Sequence, residues 1–279
     1  MPLAPAPKLT NTASASSEAS GHWYERHADG TTTPLYPEGG VFGMRQARAL
    51  MKEGRCALPS VTTIFKDLHK GYLHDVWMPQ QCILAAWDNP HLRESPTWLN
   101  EVKAIAFQQT DDAAKYGTAV HKALEDWFSE GIVDQEYADI VKAVEKEFIE
   151  HEWETEHLEL CVGNDKLGYA GMCDVIGCNT SNNFIIGDPL VVDFKTRKTK
   201  PGQTPGLYGT DAMQIAAYGV AHFGEVFLES GIGANIIIST TEPGRIYTRI
   251  HKDLTRHYRA FEGLCQYWRY SHNYEPVRL

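Results

Sequence analysis

The pattern of apolar and polar positions changes midway along the chain. Before residue 151, apolar side chains recur every three or four positions, which predicts helices over Thr97–Thr110, Ala113–Ser129 and Asp134–His151. From His157 onward, apolar and polar residues alternate between turn-forming residues, which predicts strands. This order of elements predicts an α/β protein whose first part is mainly helical.

The N-terminal residues carry weaker signals. Residues 1–21 are rich in Ala, Pro, Ser and Thr and contain almost no large apolar side chains, so we expect a disordered tail. Residues 22–55 have no clean period and predict no element. Ser60 precedes an apolar run and is typical of a helix cap, and Asn89-Pro90 predicts the end of a second helix.

The second half of the chain predicts a sheet, two helices and a loop. The loop, Lys198–Gly209, is rich in Pro, Gly and Thr and begins within a short basic run. Turn-forming residues separate the strands, so neighbouring strands are expected to pair as hairpins. The expected strands are His157–Val162, Gly168–Gly177, Leu190–Thr196, Ala234–Thr241 and Arg245–His251, and the expected helices are Asp211–Phe227 and Asp253–Tyr270.

An acid and a base share one face at the end of the strand Leu190–Thr196. Side chains alternate along a strand, so Asp193 and Lys195 point to one side and Phe194 points to the other. Taken alone, this tripeptide is more typical of an ion pair at a strand end than of a catalytic site. Asp174, on the neighbouring predicted strand, adds a second acid beside Asp193.

Polar side chains at four-residue spacing occur on two of the predicted helices. Gly117, His121 and Glu125 are stacked on one face of the helix that precedes the sheet. Gln214 and Tyr218 lie one turn apart on the helix that follows the basic run. Each of these residues alone is more typical of an ordinary surface position than of a site.

Two aspartates on adjacent strands, with a lysine beside one of them, form a site of hard oxygen ligands. Such carboxylates suit Mg²⁺ or Mn²⁺, and either ion tolerates one imidazole ligand such as His121. A bound cation lowers the pKa of a water and neutralises charge on a phosphate, while Lys195 would hold the water and stabilise the transition state. The predicted chemistry is phosphodiester hydrolysis.

Charge and cysteine content narrow the expected partners and location. The net charge of −10 argues against a protein that coats nucleic acid by bulk charge. Lys and Arg exceed Asp and Glu by three from Leu190 onward, so the first 189 residues carry a net charge of −13 and the remainder is mildly basic. The six cysteines are scattered, and neither a signal segment nor an apolar run of about 20 residues is present. We expect an intracellular protein, cytoplasmic or in an infected host cell, without membrane contact.

The ordered motifs resemble those of the PD-(D/E)xK nucleases, in the RecB-like exonuclease branch. They are Gly117-x-x-x-His121-x-x-x-Glu125, Gly171-x-x-Asp174, Asp193-Phe194-Lys195-Thr196 and Gln214-x-x-x-Tyr218. That branch is similar to the mitochondrial genome maintenance exonuclease, to CRISPR-associated RecB-like exonucleases and to phage exonucleases. The resemblance spans about Leu58 to Tyr218 and implies a restriction-endonuclease-like core, a central mixed β-sheet flanked by helices, with an N-terminal helical region.

The resemblance also implies a role for each matching residue. His121, Asp174 and Asp193 would be metal ligands, joined by the carbonyl of Phe194. Lys195 would activate or position the attacking water, so that Asp174, Asp193 and Lys195 form the catalytic set.

A second group of residues is expected to surround the ligands or the DNA. Gln214 and Tyr218 would position DNA or brace the lysine strand, and Glu125 would lie behind the ligands. The segment around Ser60 would lie beside the DNA path. The basic residues that could line a strand-tracking groove are Arg197, Lys198, Lys200, Arg256 and Arg259.

The resemblance has limits that bear on cofactors and partners. CRISPR-associated members hold an iron–sulfur cluster with four cysteines, three of them after the nuclease core, whereas only Cys265 follows Tyr218 here, so no cluster is expected. The sequence has no Walker A motif, so a helicase, recombinase or single-strand-binding partner would be a separate chain. One nuclease domain is expected over 22–279, divided into a mainly helical part (22–155), a catalytic sheet and helix (156–252) and a C-terminal helix (253–279).

The predicted function is a Mg²⁺- or Mn²⁺-dependent deoxyribonuclease. An exonuclease acting on DNA ends or single strands, in repair, recombination or replication, is the first interpretation. A structure-specific endonuclease with the same site, or a DNA-binding module that retains the fold without catalysis, are the alternatives. The sequence does not separate exonuclease from endonuclease.

Overall fold

A mixed sheet of five strands carries the second half of the chain, as the alternating pattern predicts. The computed structural model describes residues 23–35, 42–68, 71, 73–181 and 187–276, and the tail expected over 1–21 lies outside them. The strand order is β4-β5-β6-β7-β8, with β6 and β7 parallel and the other neighbours antiparallel. These strands are β4 (Trp153–Asn164), β5 (Tyr169–Asn179), β6 (Asp188–Arg197), β7 (Ile232–Ser239) and β8 (Ile246–Ile250).

The N-terminal part contains a second sheet that the sequence pattern did not predict. Its three antiparallel strands, in the order β2-β1-β3, are β1 (Trp23–Arg26), β2 (Thr32–Pro34) and β3 (Cys56–Pro59). They are too short for a period to emerge from the sequence, because three or four residues give at most two alternations. The part expected to be mainly helical is therefore a mixture of strands and helices.

Eight α-helices accompany the sheets in the described part of the chain. They are α1 (Met44–Lys52), α2 (Val61–Ile64), α3 (Met78–Asp88), α4 (Trp98–Glu130), α5 (Ala138–Glu150), α6 (Gly209–Phe223), α7 (Val226–Ser230) and α8 (Leu254–Ser271). Short 3₁₀ turns cover Phe65–Asp67 and Pro90–Glu94, and a π-helical turn covers Leu73–Trp77. None of the helices among the described residues combines the length and apolar character needed to cross a membrane.

The two helices expected over Thr97–Thr110 and Ala113–Ser129 are one continuous helix, α4. The acidic pair Asp111 and Asp112 lies between the two predicted helices and does not break α4. Gln108 donates a hydrogen bond to Asp112 one turn later, at 2.9 Å, which supports the helix at this point. Gly131, with φ of +70°, follows the helix end, as expected for a glycine in the left-handed conformation. The prediction of two separate helices was wrong, whereas the predicted end was correct.

Local signals at two other helix ends account for the observed boundaries. Ser60 accepts a hydrogen bond from the backbone N–H of Thr63 at 2.9 Å and caps α2, as predicted, although the preceding residues form β3 rather than a helix. The helix expected to reach Phe227 ends at Phe223, because Gly224 adopts a φ of +80°. The short helix α7 then follows.

Contacts divide the chain into two units where the sequence predicted one domain over 22–279. One unit comprises residues 66–119 and the other comprises 1–65 together with 120–279. The smaller unit has its own buried cluster of Ala85, Val102 and Ala106. Ser60 and all residues from His121 to the end of the sheet belong to the larger unit, which therefore contains the candidate site.

The interior of the larger unit lies against the central strand β6. Residues Leu190, Val191 and Val192 are completely buried, as expected for a strand that is covered on both faces. The apolar positions of α6 and α8 contribute Ile215, Phe261 and Trp268, each at most 2% exposed. The aromatic stripe of α8 is therefore part of the core.

The central sheet divides at the point where β5 and β6 approach the predicted site. Pairing between β5 and β6 ends at Val175 and Val192. Beyond that point β5 remains paired with β4, while β6 remains paired with β7 as far as Arg197. Two residues past the last β5–β6 pair, the N–H of Phe194 donates at 2.7 Å to the Asp174 carboxylate instead of to a strand carbonyl. We refer to this separation of β5 from β6 as the fork.

Gly171 allows the sheet and α6 to approach each other next to the fork. A Cβ at this position would lie 2.4 Å from Cε1 of Tyr218, which is closer than van der Waals contact permits. The spacing of Gly171 and Asp174 in one motif thus has a packing reason: the glycine admits the tyrosine ring, and the aspartate reaches the fork.

We expect Gly171→Ala to lower the free energy of unfolding by about 1–3 kcal/mol, because the added methyl overlaps the Tyr218 ring. Urea denaturation followed by circular dichroism measures the change. Gly206→Ala is the matched control, since a Cβ there meets no atom within 4 Å. Equal stability of the two variants would contradict this account of the packing.

Candidate metal centre

Helix α4 brings His121 to the fork. The helix buries Val120, Leu124 and Phe128 against the larger unit, which fixes its rotation. His121 is left with a quarter of its side chain exposed, and its Nδ1 lies 3.6 Å from Oδ2 of Asp174. This distance is too long for a hydrogen bond. The two atoms face each other without being bonded.

Glu159 on β4 completes a group of three potential ligands. The pairs Leu158–Val175 and Leu160–Cys173 flank it, so Glu159 stands across from Asp174. Its φ of +46° is rare for any residue other than glycine, and such strain is concentrated at functional sites. One ligand atom each from His121, Glu159 and Asp174 lie within 4.8 Å of one another.

Two acids at this site, Glu159 and Glu125, have raised pKa values. Burial, followed by the negative charge of Asp174, raises the pKa of Glu159 to about 9. Burial also raises the pKa of Glu125, which lines the same small pocket. Oε2 of Glu125 has no hydrogen-bond partner, and the closest amine, that of Lys122, is 3.7 Å away. The pocket thus contains acids that a cation would stabilise.

Asp193 and Lys195 form an ion pair on the other side of the Phe194 peptide. Nζ of Lys195 lies 2.9 Å and 2.7 Å from the two carboxylate oxygens of Asp193. Burial works against the charged amine, but the carboxylates of Asp193 and Asp174 outweigh it and raise the pKa of Lys195. Burial likewise raises the pKa of Asp193, in spite of the opposing charge of Lys195.

Gln214 and Tyr218 extend this ion pair into helix α6. Lys195 donates to Oε1 of Gln214 at 3.2 Å, and Nε2 of Gln214 donates to the Tyr218 hydroxyl at 3.0 Å. Gln214 is 8% exposed and Tyr218 is 3% exposed. Of the two roles expected for this pair, their burial and contacts fit the bracing of the lysine strand and leave little surface for DNA.

The structure brings the predicted ligands together only in part. His121 and Asp174 converge, and the N–H of Phe194 contacts Asp174. The Asp193 carboxylate is directed instead to Lys195 and to Asn235 on β7, and Asp193 is not a member of the converging group. The pairing with Lys195 explains the difference, because a buried carboxylate is held by its nearest cation.

The residues expected beside DNA have other contacts. Ser60 is 3% exposed and its hydroxyl caps α2. Arg197 donates to Asp211 at 2.7 Å, and its guanidinium lies 4.3 Å from the centre of the Tyr208 ring. Lys198 is exposed. Of these three, Lys198 alone has the free surface position that a phosphate contact requires.

Glu159 is the residue that sequence reasoning missed. It occupies a polar position in the alternating run His157–Val162, and such a position is typical of the solvent-facing side of a strand. The available signal was its distance from the turn: counting back through the hairpin places it across from Asp174. Its left-handed backbone conformation carries no sequence signature.

The donors of this centre fit a hard divalent cation. Two carboxylates and one imidazole match the preferences of Mn²⁺, and of Mg²⁺ with one nitrogen ligand, and the raised pKa of Glu159 shows that its ionised form lacks a compensating positive charge. No known family model matches the chain, and no curated protein sequence matches it. Conclusions about function therefore depend on the geometry of the centre.

We expect Mn²⁺ binding to release a proton from Glu159 near pH 7. A carboxyl with a pKa of about 9 is protonated below that pH, and a ligand must lose its proton, so Mn²⁺ affinity should rise by up to about tenfold per pH unit between pH 6.5 and 8.5. Calorimetry in two buffers with different ionisation enthalpies measures the released protons.

Two variants test the assignment of that proton. Glu159→Gln should weaken Mn²⁺ binding and remove the proton release. Glu154→Gln changes an exposed acid on the same strand and should leave both unchanged. Undiminished proton release by Glu159→Gln would assign the proton to another group.

Proposed function

We propose that this protein is a metal-dependent deoxyribonuclease of the PD-(D/E)xK type, with a restriction-endonuclease-like core and an exonuclease activity like that of the RecB-like branch. The single observation that carries the proposal is the fork. The N–H of Phe194 donates to Asp174, which belongs to the group of His121, Glu159 and Asp174. Phe194 itself lies between Asp193 and Lys195, the two residues of the ion pair. A cation site beside a positively charged amine can neutralise the charge that develops on a phosphate during phosphodiester hydrolysis.

His121, Glu159 and Asp174 would hold the cation, and Asp193 and the Phe194 carbonyl are the further ligands that the motif predicts. A divalent cation there would supply a water of lowered pKa and neutralise charge on the scissile phosphate. The Phe194 N–H orients the Asp174 carboxylate, which removes one of its rotational freedoms before substrate binds.

Lys195 acts as a hydrogen-bond donor and a positive charge in this proposal. Its raised pKa keeps the amine protonated at neutral pH, so it serves to hold the attacking water and to stabilise charge that develops on phosphate oxygens rather than to accept a proton. Asp193 and Gln214 fix the amine from two sides. This preorganisation lowers the cost of orienting the amine during the reaction.

DNA as the substrate is supported by the motif order and by the exposed lysines that follow β6. Lys198 and Lys200 are exposed just beyond the strand that carries Lys195. Their position would attract a phosphate backbone toward the centre in a protein whose overall charge is −10. A non-catalytic DNA-binding module accounts for less of the structure, because binding alone does not require a lysine held in place by both Asp193 and Gln214.

We expect purified protein to degrade linear DNA with Mg²⁺ or Mn²⁺ and to be inactive with EDTA. Lys195→Ala should lower kcat by about 10²–10³-fold while DNA binding in a gel-shift assay persists, because the lost group is a transition-state donor. Lys166→Ala removes an exposed lysine that is paired with Glu225 away from the centre and should retain full activity.

Asp174→Asn should lower both Mn²⁺ affinity and cleavage, because Asp174 is a proposed ligand. Wild-type rates in Lys195→Ala or Asp174→Asn would remove the assignment of the centre. DNA binding without cleavage by the unaltered protein would favour the non-catalytic alternative.

A circular single-stranded DNA separates the two modes of cleavage. We expect it to remain intact under conditions in which a linear strand of the same sequence is degraded, since an obligate exonuclease needs an end. Agarose gels that follow loss of the circular form measure this directly. Linearisation of the circle would show that the same chemistry serves an endonuclease.

A further inference from the structure

A buried amide on β7 contacts the acid of the ion pair. Asn235 is completely buried and is the register partner of Asp193 across the parallel strands β6 and β7. Its Nδ2 lies 2.7 Å from Oδ2 of Asp193 and 3.2 Å from the Asp193 carbonyl oxygen. Neither motif reasoning nor the converging ligand group includes this residue.

The acceptors around Asn235 fix the orientation of its amide. A carboxylate oxygen and a carbonyl oxygen only accept hydrogen bonds, so the NH₂ group of Asn235 must face Asp193. Its Oδ1 then faces away from Asp193, and Nε2 of His251 lies 2.6 Å from that oxygen. Because Oδ1 can only accept, His251 must donate from Nε2.

His251 is suited to hold this single orientation. It directly follows β8 and also contacts the ring of His257, 6.1 Å away between centroids. Burial, and then the neighbouring His257, lowers the pKa of His251 to about 4, against a small opposing effect of Asp211. The imidazole is therefore neutral at neutral pH, so its one proton resides on Nε2 and Nδ1 carries the lone pair.

These contacts form one continuous hydrogen-bond network from the end of β8 through β7 and β6 to α6. It runs from His251 through Asn235 to Asp193, and from there through Lys195 and Gln214 to the Tyr218 hydroxyl. Only one assignment of donors satisfies the part from His251 to Asp193. An amide turned by 180° would place its oxygen against the Asp193 carboxylate, where two acceptors repel.

We propose that Asn235, oriented by the Nε2–H of His251, is a positioning residue that holds the Asp193 carboxylate, and through it the Lys195 amine, in the geometry that cleavage requires. The inference rests on the proposed nuclease function for its catalytic consequence. It adds Asn235 on β7 and His251, which directly follows β8, to the residues of the motif series. Removing the amide frees the carboxylate to rotate, so the amine loses its fixed position while the DNA-binding surface is unchanged.

Steady-state cleavage of linear DNA by Asn235→Ala tests the catalytic consequence. We expect kcat to fall about 10- to 100-fold, as for other residues that orient a ligand from behind, with KM for DNA within about twofold of wild type. Asn179→Ala is the matched control, because Asn179 is also a buried amide, bonded at 2.7 Å to the His151 carbonyl away from the centre.

The control separates positioning from general destabilisation. Asn179→Ala should lose similar thermal stability and keep kcat within about twofold of wild type. A kcat of Asn235→Ala within twofold of wild type, or a loss no larger than that of the control, would overturn the proposal.

Variants of His251 test the orientation of the amide. His251→Gln presents an N–H to Oδ1 of Asn235 and should keep kcat within about twofold of wild type. At a pH high enough to ionise its carboxyl group, His251→Glu presents only acceptors, so the Asn235 amide would turn its NH₂ toward residue 251 and its oxygen toward Asp193. We expect the kcat of His251→Glu to fall as far as that of Asn235→Ala, and equal rates for the Gln and Glu variants would overturn the proposal.

A spectroscopic readout keeps this inference separate from the nuclease proposal. ¹⁵N NMR of the full-length protein should show His251 protonated at Nε2 and unprotonated at Nδ1, and Asn235→Ala, but not Asn179→Ala, should shift the ¹³Cγ signal of Asp193. A proton on Nδ1 would overturn the inferred orientation whether or not the protein cleaves DNA. Absence of metal-dependent cleavage with these signals in place would instead refute the nuclease proposal alone.

Discussion

The hydrogen bond from the Phe194 backbone to the Asp174 carboxylate is the interaction on which the candidate site depends. It takes the place of a strand-to-strand bond where β5 and β6 separate, so the backbone donor is satisfied without closing the sheet. The carboxylate is thereby held in the gap, facing the imidazole on α4. Phe194 lies between Asp193 and Lys195 in the sequence. The bond thus holds the Asp174 carboxylate next to the strand segment that carries the ion pair.

The centre concentrates negative charge that the fold itself does not neutralise. Lys195 offsets Asp193, but burial and the charge of Asp174 raise the pKa of Glu159, and burial raises the pKa of Glu125 in spite of the opposing charge of Lys122. A fold optimised only for stability would replace such acids by apolar residues, since unpaired buried carboxylates are costly. The strained backbone of Glu159 has the same implication. A bound cation would relieve the electrostatic cost.

Lys195, which is partly buried, is held by contacts that extend beyond its own strand. The contacts connect β6 to β7 and the end of β8 through Asp193, Asn235 and His251. They connect β6 to α6 through Gln214 and Tyr218. Low local dielectric strengthens each of these bonds and penalises any that is lost. Gly171 belongs to the same arrangement, because its missing side chain is what lets the Tyr218 ring reach this depth. The motif glycine and tyrosine are therefore coupled by packing.

The sequence alone determined the strand and helix periods of the second half of the chain and the cap at Ser60. It also determined the pairing of Gln214 with Tyr218 and the proximity of Asp174 to the strand that carries Asp193. Each of these features depends on spacing within one element or between adjacent elements. The tertiary structure decided the rest. It selected Glu159 instead of Asp193 to join His121 and Asp174, and it directed Asp193 to Lys195 and Asn235. Those choices follow from where the sheet separates and from which charge lies nearest after folding, and no local pattern encodes either.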